Sequence, residues 1–114
     1  MDSIYEMTML YDFYGELLTA NQKEVCRMHI LEDYSLSEMS QILNISRQGV
    51  HDSLRRALTA LKEYENTLHL VARFNDTRER LEQIRALAEK AENAEEAERT
   101  GLLEQIKACT LEIE

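Results

Sequence analysis

Six polar and cationic side chains between residues 47 and 62 have the chemistry that nucleic-acid recognition requires. Arginine and glutamine can hydrogen-bond bidentately to base edges, and arginine and lysine neutralise phosphates. A single arginine on a helix is more often plain solvated surface, so the spacing of the whole set carries the prediction. The candidate nucleic-acid-binding residues are Arg47, Gln48, His51, Arg55, Arg56 and Lys62.

A helix-turn-helix over about residues 36–64 is predicted to position these side chains. Two closely crossing helices need a small residue in the first, here Ser40, and a turn residue that accepts a left-handed backbone, here Asn44. Ile45 is then an apolar plug, and Gly49 indicates a close backbone approach, either to a ligand or to the preceding helix. The predicted helix-turn-helix core consists of Leu36, Met39, Ser40, Leu43, Asn44, Ile45, Val50 and Leu54.

The rest of the chain is also predicted to be helical, which gives an all-α fold. The sequence has no proline, and apolar residues recur along it at three- and four-residue steps. The predicted helices cover residues 4–18, 20–32, 36–44 and 47–65, the last with an end anywhere between 65 and 75. Residues 1–66 are predicted to form one domain, and residues 67–114 a long helical extension that packs on that domain or on a partner.

Side chains that cap helices mark where the predicted helices begin. An S/T-x-x-E/Q signature lets the first side chain accept from a backbone N–H while the fourth accepts from the cap's own N–H. Such signatures start at Thr19 and at Ser35, and Ser46 is a further capping serine. The N-caps predicted farther along the chain are Asn75 or Asp76, followed by Asn93.

The net charge of the whole chain argues against nucleic-acid binding. The net charge is −9, from 22 acidic and 13 basic residues. Between residues 45 and 62, however, Asp52 alone opposes Arg47, Arg55, Arg56 and Lys62, so this window is positive. We therefore expect weak, salt-sensitive nucleic-acid binding by a single copy of the chain.

The sequence contains no pattern typical of an enzyme, a cofactor site or a metal site. Its three histidines, His29, His51 and His69, fall in separate segments, and neither H-E-x-x-H nor C-x-x-C occurs. Cys26 and Cys109 are predicted to be reduced thiols, packed as small apolar residues. Because the sequence also lacks a signal peptide and a membrane-spanning stretch, we expect a cytoplasmic protein without membrane insertion.

The run LTANQKEVCRMHILEDYSLSEMSQILNISRQGVHDSLRRALTALKEYE resembles region 4 of sigma-70-type transcription factors. Together with LYDFYGELLT before it and YENTLHLVARF at its end, it is similar to the YlxM family, over about residues 8–74. This resemblance implies an all-helical cytoplasmic protein of low-GC Gram-positive bacteria that regulates the signal recognition particle (SRP) pathway. The family's reading positions fall on Arg47, Gln48, His51, Arg55 and Arg56. The ligand implied is DNA or SRP RNA.

A different class of function, a protein-interaction module, fits the C-terminal third. Leu81, Ile84, Ala88 and Ala91 repeat at three- and four-residue steps and form a narrow apolar seam. This seam could pair two copies of the chain, dock on an SRP component such as its GTPase subunit, or close an intramolecular hairpin. We favour a homodimer, because two reading helices side by side would gain avidity that a weakly basic single helix lacks.

Overall fold

The computed structural model describes residues 3–111 and residue 113. Helices account for nearly all of these residues, and no strand occurs among them, so the all-α prediction is confirmed. The helices are α1 (Ile4–Tyr14), α2 (Ala20–Cys26), α3 (Leu36–Leu43), α4 (Arg47–Leu68), α5 (Leu70–Asn93) and α6 (Glu96–Leu111). The chain divides into a first compact unit that ends at Val71 and a second that begins at Ala72.

Polar side chains cap the first four helices. Ser3 and Ser46 each accept a hydrogen bond from a backbone N–H in the first turn of α1 and α4, respectively. Thr19 and Ser35 do the same in α2 and α3, and each forms the complete reciprocal capping box. The capping predictions at Thr19, Ser35 and Ser46 are therefore confirmed. These helix starts follow from local chemistry, because each cap and its partner lie within four residues.

Helix α4 is the centre of the first unit, and α1, α2 and α3 all pack against it. Its buried face is formed by Val50, Leu54, Ala57 and Leu61, which recur at three- and four-residue steps. Opposite them lie buried side chains from every earlier helix. These are Leu10, Tyr14, Leu18, Val25, Cys26, Met28, Ile30 and Met39.

The second predicted helix differs from the structure at its C-terminal end. After Cys26 the chain forms a π-helical turn, Arg27–Leu31, in which the Glu32 N–H donates to the Arg27 carbonyl five residues earlier. This wider turn brings Ile30 rather than Leu31 onto the row of Val25, so Ile30 is buried and Leu31 stays 57% exposed. An uninterrupted α-helical spacing was the wrong prediction here.

The first helix is also shorter than its apolar spacing predicts. It ends at Tyr14, and the chain continues as a 3₁₀ turn, Gly15–Leu17. The apolar residues Ile4 and Leu17 lie within the predicted helix 4–18 but remain largely exposed. The apolar side chain of Ile42 in α3 is also exposed.

The break after α4 lies several residues before the predicted capping sites. His69 adopts a left-handed backbone, with φ of 57°, and its N–H donates to the Glu65 carbonyl, which ends α4 at Leu68. Helix α5 begins immediately, at Leu70. Asn75 and Asp76 therefore lie inside α5, and their predicted capping role is wrong.

Two side chains from the first unit hold the start of α5. Tyr14 is fully buried, its hydroxyl donates to a Glu65 carboxylate oxygen, and it accepts from the Leu70 N–H at 3.0 Å. The same carboxylate oxygen accepts from the Val71 N–H at 2.9 Å. Both N–H groups belong to the first turn of α5, where no intrahelical acceptor exists. Residues distant in sequence therefore decide where the helix restarts.

The second unit is a hairpin of the remainder of α5 and α6. The Arg99 guanidinium closes its turn by donating to the carbonyls of Ala91 and Ala94, at 3.0 and 2.9 Å. At the other end, Cys109 Sγ lies 3.8 Å from Gln83 Oε1. Helix α6 begins at Glu96, and the N–H of Arg99 donates to the Glu95 carbonyl.

Candidate nucleic-acid interface

The turn between α3 and α4 has the tight geometry of a helix-turn-helix. Asn44 ends α3 in the left-handed conformation, with φ of 56° and ψ of 43°, as predicted. The Ile45 N–H donates to the Ser40 carbonyl at 3.2 Å, and the Ser40 hydroxyl donates to the Ile45 carbonyl at 2.5 Å. The sequence predicts Ser40 only for its small size. The hydrogen bond that its hydroxyl makes across the turn is seen only in the structure. Ile45, predicted as a plug, remains 45% exposed.

Gly49 lies in the first turn of α4, and its N–H donates to the capping Ser46 hydroxyl at 3.0 Å. A Cβ atom at Gly49 would stand 3.2 Å from that same hydroxyl and 3.7 Å from Ile45 Cδ1. The close approach indicated by the sequence is therefore to the cap and turn of its own helix. Helix α3 supplies none of the closest neighbours of this position.

Four of the predicted side chains lie near the N-terminal end of α4 and are exposed. Arg47, Gln48, His51 and Arg55 fall within about a third of the helix circumference, at about 100° per residue. We call these four residues the candidate recognition face. The centre of the buried row of α4 lies about 100° round the helix from the centre of this face, so packing fixes the direction in which the face points.

Asp52 connects three members of the candidate recognition face. The Gln48 side-chain amide donates to Asp52 Oδ1 at 3.0 Å. The same oxygen lies 3.8 Å from both Arg55 Nη2 and His51 Nδ1. In the sequence, Asp52 is recognised only as the single acidic residue opposing the basic residues of this window. Its three- and four-residue spacing from Arg55 and Gln48 is the signal that would have predicted these contacts.

The structure separates the two remaining predicted residues from this face. Arg56 is exposed, but it lies about 100° farther round α4 than Arg55. Lys62 is exposed on the same side as Arg55, about 10 Å farther along the helix axis. The two side chains are thus spaced along and around α4, where a nucleic-acid backbone rather than a base edge would be reached.

No metal, redox or membrane feature accompanies this surface in the part of the chain that the structure describes. Residues 3–111 and 113 contain no cluster of three potential metal-ligating side chains. Cys26 is buried, and burial raises the pKa of its thiol to about 11, which disfavours the reactive thiolate at neutral pH. Among the same residues, no helix combines the length and the apolar character that crossing a membrane requires.

The capped α3, the left-handed Asn44 turn and the packed α4 define the class of the protein. It is an all-α helix-turn-helix protein. Residues 1–109 match the family described as "Putative helix-turn-helix protein, YlxM / p13 like". The chain belongs to this family.

Similar proteins occur in several bacteria. A UPF0122 protein of Caldanaerobacter subterraneus is 50% identical over 84 residues, which cover 74% of this chain and 72% of the relative. One from Acetivibrio thermocellus is 44% identical over the same shares of the two chains. One from Bacillus pumilus is 37% identical over 98 residues, or 86% of this chain and 89% of the relative. The similarity therefore extends over most of each relative's length.

Proposed function

We propose that this chain is a nucleic-acid-binding regulator that reads its target with the N-terminal half of α4. The observation that carries the proposal is the candidate recognition face, directed outward by a helix-turn-helix whose turn and caps are all formed. Arg47, Gln48, His51 and Arg55 supply the contacts to bases and nearby phosphates. Arg56 and Lys62 supply additional phosphate contacts. We assign reading to residues 1–66 and partner association to residues 67–114.

Asp52 supports weak rather than tight binding. Its carboxylate holds Gln48 and lies close to Arg55 and His51, so nucleic acid must compete with it for these groups. It also places a negative charge where phosphates would approach, which costs affinity at low salt. Replacing Asp52 with Asn removes the charge and keeps a hydrogen-bond acceptor for Gln48. We expect D52N to bind nucleic acid roughly tenfold more tightly at low salt.

The target we propose is a nucleic acid of the SRP pathway in the cytoplasm, either DNA that controls it or the SRP RNA. The resemblance to the YlxM family and to sigma-70 region 4 motivates this choice. A binding comparison at low salt would use promoter-like duplex DNA, SRP RNA and the SRP GTPase subunit side by side. Affinity for either nucleic acid that exceeds affinity for an unrelated duplex supports the proposal, and affinity for the GTPase alone contradicts it.

The role of α4 is tested with R47A, R55A and the double variant, by fluorescence anisotropy with the better-binding nucleic acid. Each substitution is expected to weaken binding roughly tenfold, and the double variant to lower the slope of log affinity against log salt by about 2. R85Q, which removes one exposed charge from α5, is the matched control. A folded double variant with the affinity and salt slope of R85Q would contradict the proposal.

The second candidate function, protein association, is favoured by a groove between α5 and α6. The groove has a volume of about 760 Å³, and small residues that include Ala86, Ala94 and Gly101 line it. A second recess of about 460 Å³, which also includes Ala86, has Leu87 and Cys109 in its lining. Small side chains let another helix approach closely, so we propose that a second copy of the hairpin occupies this groove and forms a homodimer.

Gly101 offers a clean test of this homodimer in the full chain. A Cβ atom there would meet nothing within 4 Å, so larger side chains fit the folded monomer. Sedimentation is expected to show a dimer for the unchanged chain and for G101A, and a monomer for G101R. A monomeric unchanged chain, or a dimer that persists in G101R, would rule out this interface.

A further inference from the structure

A cavity of about 370 Å³ lies beside α4 in the first unit. Met7 of α1, His29 of the π-helical turn and Leu36 of α3 face α4 across it. Its volume lies within the range of about 300–1,000 Å³ that small-molecule sites occupy. The space is therefore sufficient for one small ligand, and three separate elements besides α4 shape it.

The apolar part of the lining comes from Met7, Leu36, Leu54 and Leu58. Leu54 belongs to the buried core, and the other three side chains pack directly against that core. These walls are therefore held in place by the packing of the first unit. An alkyl or aryl group entering the cavity would leave water and contact preformed apolar surface, which favours binding.

The charged side chains of the lining, Arg55 and Lys62, are both positive, and His29 and His51 add imidazole nitrogens. Among the residues that the structure describes, no aspartate or glutamate lines the cavity, and the nearby Asp52 carboxylate lies 3.8 Å from Arg55 Nη2. This is the reverse of the whole chain, in which acidic residues outnumber basic ones by 22 to 13. An apolar pocket edged by cations is complementary to a molecule with one apolar part and one anionic group.

We propose that this cavity binds a small amphipathic carboxylate, with an alkyl or aryl group seated among the leucines and the carboxylate directed to Arg55 and Lys62. Thr59, an exposed residue of the lining, lies between these two cations along α4, so one anionic group could approach both. A folded nucleic acid does not fit a recess of this volume. Its phosphates would instead contact the exposed outer sides of the same two cations.

The site has a regulatory consequence, which rests on the function proposed above. Arg55, His51 and Lys62 both line the cavity and belong to the proposed nucleic-acid interface. A bound carboxylate would neutralise part of the positive charge that attracts phosphates. The ligand and the nucleic acid therefore bind antagonistically, and each lowers the affinity for the other by the same factor.

Direct binding is tested on the full chain without nucleic acid, using octanoate as the probe and octan-1-ol as its neutral counterpart. In amide correlation spectra, octanoate is expected to shift resonances of His29, Leu36 and Leu58 together. Octan-1-ol is expected to bind at least roughly fivefold more weakly, because it lacks the charge that Arg55 and Lys62 attract. Equal affinities, or shifts confined to other residues, would overturn the proposal.

Two variants separate this site from general attraction between charges. R55Q/K62Q is expected to weaken octanoate binding roughly fivefold, whereas R85Q leaves it unchanged. T59F keeps every cation and places a large side chain in the lining, at an exposed helical position that tolerates phenylalanine. It is expected to abolish the shifts. Undiminished octanoate binding by T59F, or by R55Q/K62Q, would contradict the site.

The coupling is measured as the affinity for nucleic acid with and without saturating octanoate, against an equal concentration of acetate. We expect roughly tenfold weaker binding with octanoate and no such loss with acetate, which lacks the alkyl chain. If the chain binds octanoate but no nucleic acid, the ligand site is supported and the proposed nucleic-acid function is refuted. Binding of an acidic leucine-containing peptide in place of octanoate would instead mark a protein-docking site and overturn the small-ligand proposal.

Discussion

The two compact units differ sharply in how their helices are held. In the first, α4 is surrounded by buried side chains from α1, α2 and α3, and Tyr14, Met39 and Leu61 have no exposed surface. In the second, Ala91 is the single buried apolar residue among those that the structure describes. Its hairpin is joined instead by polar contacts, such as those of Arg99.

This difference indicates which interactions stabilise each of the two units. A helix whose apolar row is buried gains most of its stability from tertiary packing. A hairpin that buries little must depend on its internal hydrogen bonds or on a partner. The first unit can therefore present fixed side chains, whereas the second keeps Leu81 and Leu103 about half exposed and available for association.

The largest expected effect comes from truncating one leucine in each unit. L61A removes a fully buried side chain from the core of the first unit and should lower the free energy of unfolding by about 2–5 kcal/mol. L81A removes a side chain that is 53% exposed and should change the free energy of unfolding by less than about 0.5 kcal/mol. Denaturant unfolding checks both values, and equal losses would remove the contrast between the units.

A smaller effect is expected from Y14F, which deletes the hydroxyl that joins Glu65 to the Leu70 N–H. The half-buried polar groups that lose their partner, the Glu65 carboxylate and the Leu70 N–H, should cost about 1 kcal/mol at neutral pH. The pKa of Tyr14 is raised, first by burial and then by its hydrogen bond to Glu65. Stability from Tyr14 is therefore present below pH 10 and is lost as the pH rises further.

Unfolding of the unchanged chain and of Y14F, measured at neutral pH and above pH 10, checks this prediction. The gap between the two proteins should narrow on the alkaline side. A gap that stays constant would show that the tyrosine contributes through packing of its ring alone.

An effect of about 1 kcal/mol is expected from the turn of the helix-turn-helix. S40A deletes the hydroxyl that donates to the Ile45 carbonyl, and S37A changes an exposed serine of the same helix. Both variants gain the higher helix propensity of alanine. The difference between their free energies of unfolding therefore isolates the hydrogen bond from Ser40 to the Ile45 carbonyl. If S40A and S37A unfold at the same denaturant concentration, the hydrogen bond from Ser40 to the Ile45 carbonyl contributes nothing to stability.

The smallest expected effect concerns the capping box of α3. Hydrogen bonds from Ser35 lower the pKa of the Glu38 carboxyl below its usual 4.5. The stability it contributes is therefore present above pH 4.5 and is lost as the pH falls through the lowered pKa. E38Q keeps an acceptor that does not titrate, so its melting temperature should fall less on acidification than that of the unchanged chain. Parallel decreases would contradict this prediction.

The parts of the fold that the sequence predicts are those decided by neighbouring residues. The caps at Thr19, Ser35 and Ser46 and the left-handed exit at Asn44 each depend on contacts within about five residues. The restart of α5 at Leu70 could not be predicted, because the acceptor that meets its N–H comes from Tyr14. Side-chain chemistry at a distance of more than fifty residues leaves no local pattern.

The candidate site divides in the same way. The positions of Arg47, Gln48, His51 and Arg55 on one face follow from the helical repeat, which the sequence contains in full. The grouping of Gln48, His51 and Arg55 around Asp52 also follows from this repeat, because Gln48 and Arg55 stand four and three residues from Asp52. The cavity could not have been predicted, because Met7, His29 and Leu36 meet beside α4 only after four segments have packed.

The π-helical turn at Arg27–Leu31 has a consequence for how the chain tolerates changes in length. Such a turn holds one residue more than the α-helical turn it replaces, and Arg27 braces it by contacts with Glu24 and Glu32. Deleting one residue between Val25 and Ile30 would leave these two residues four apart in an ordinary α-helix, which again places them on one face. The segment could therefore lose a residue at this turn while the buried row and every later helix start keep their places.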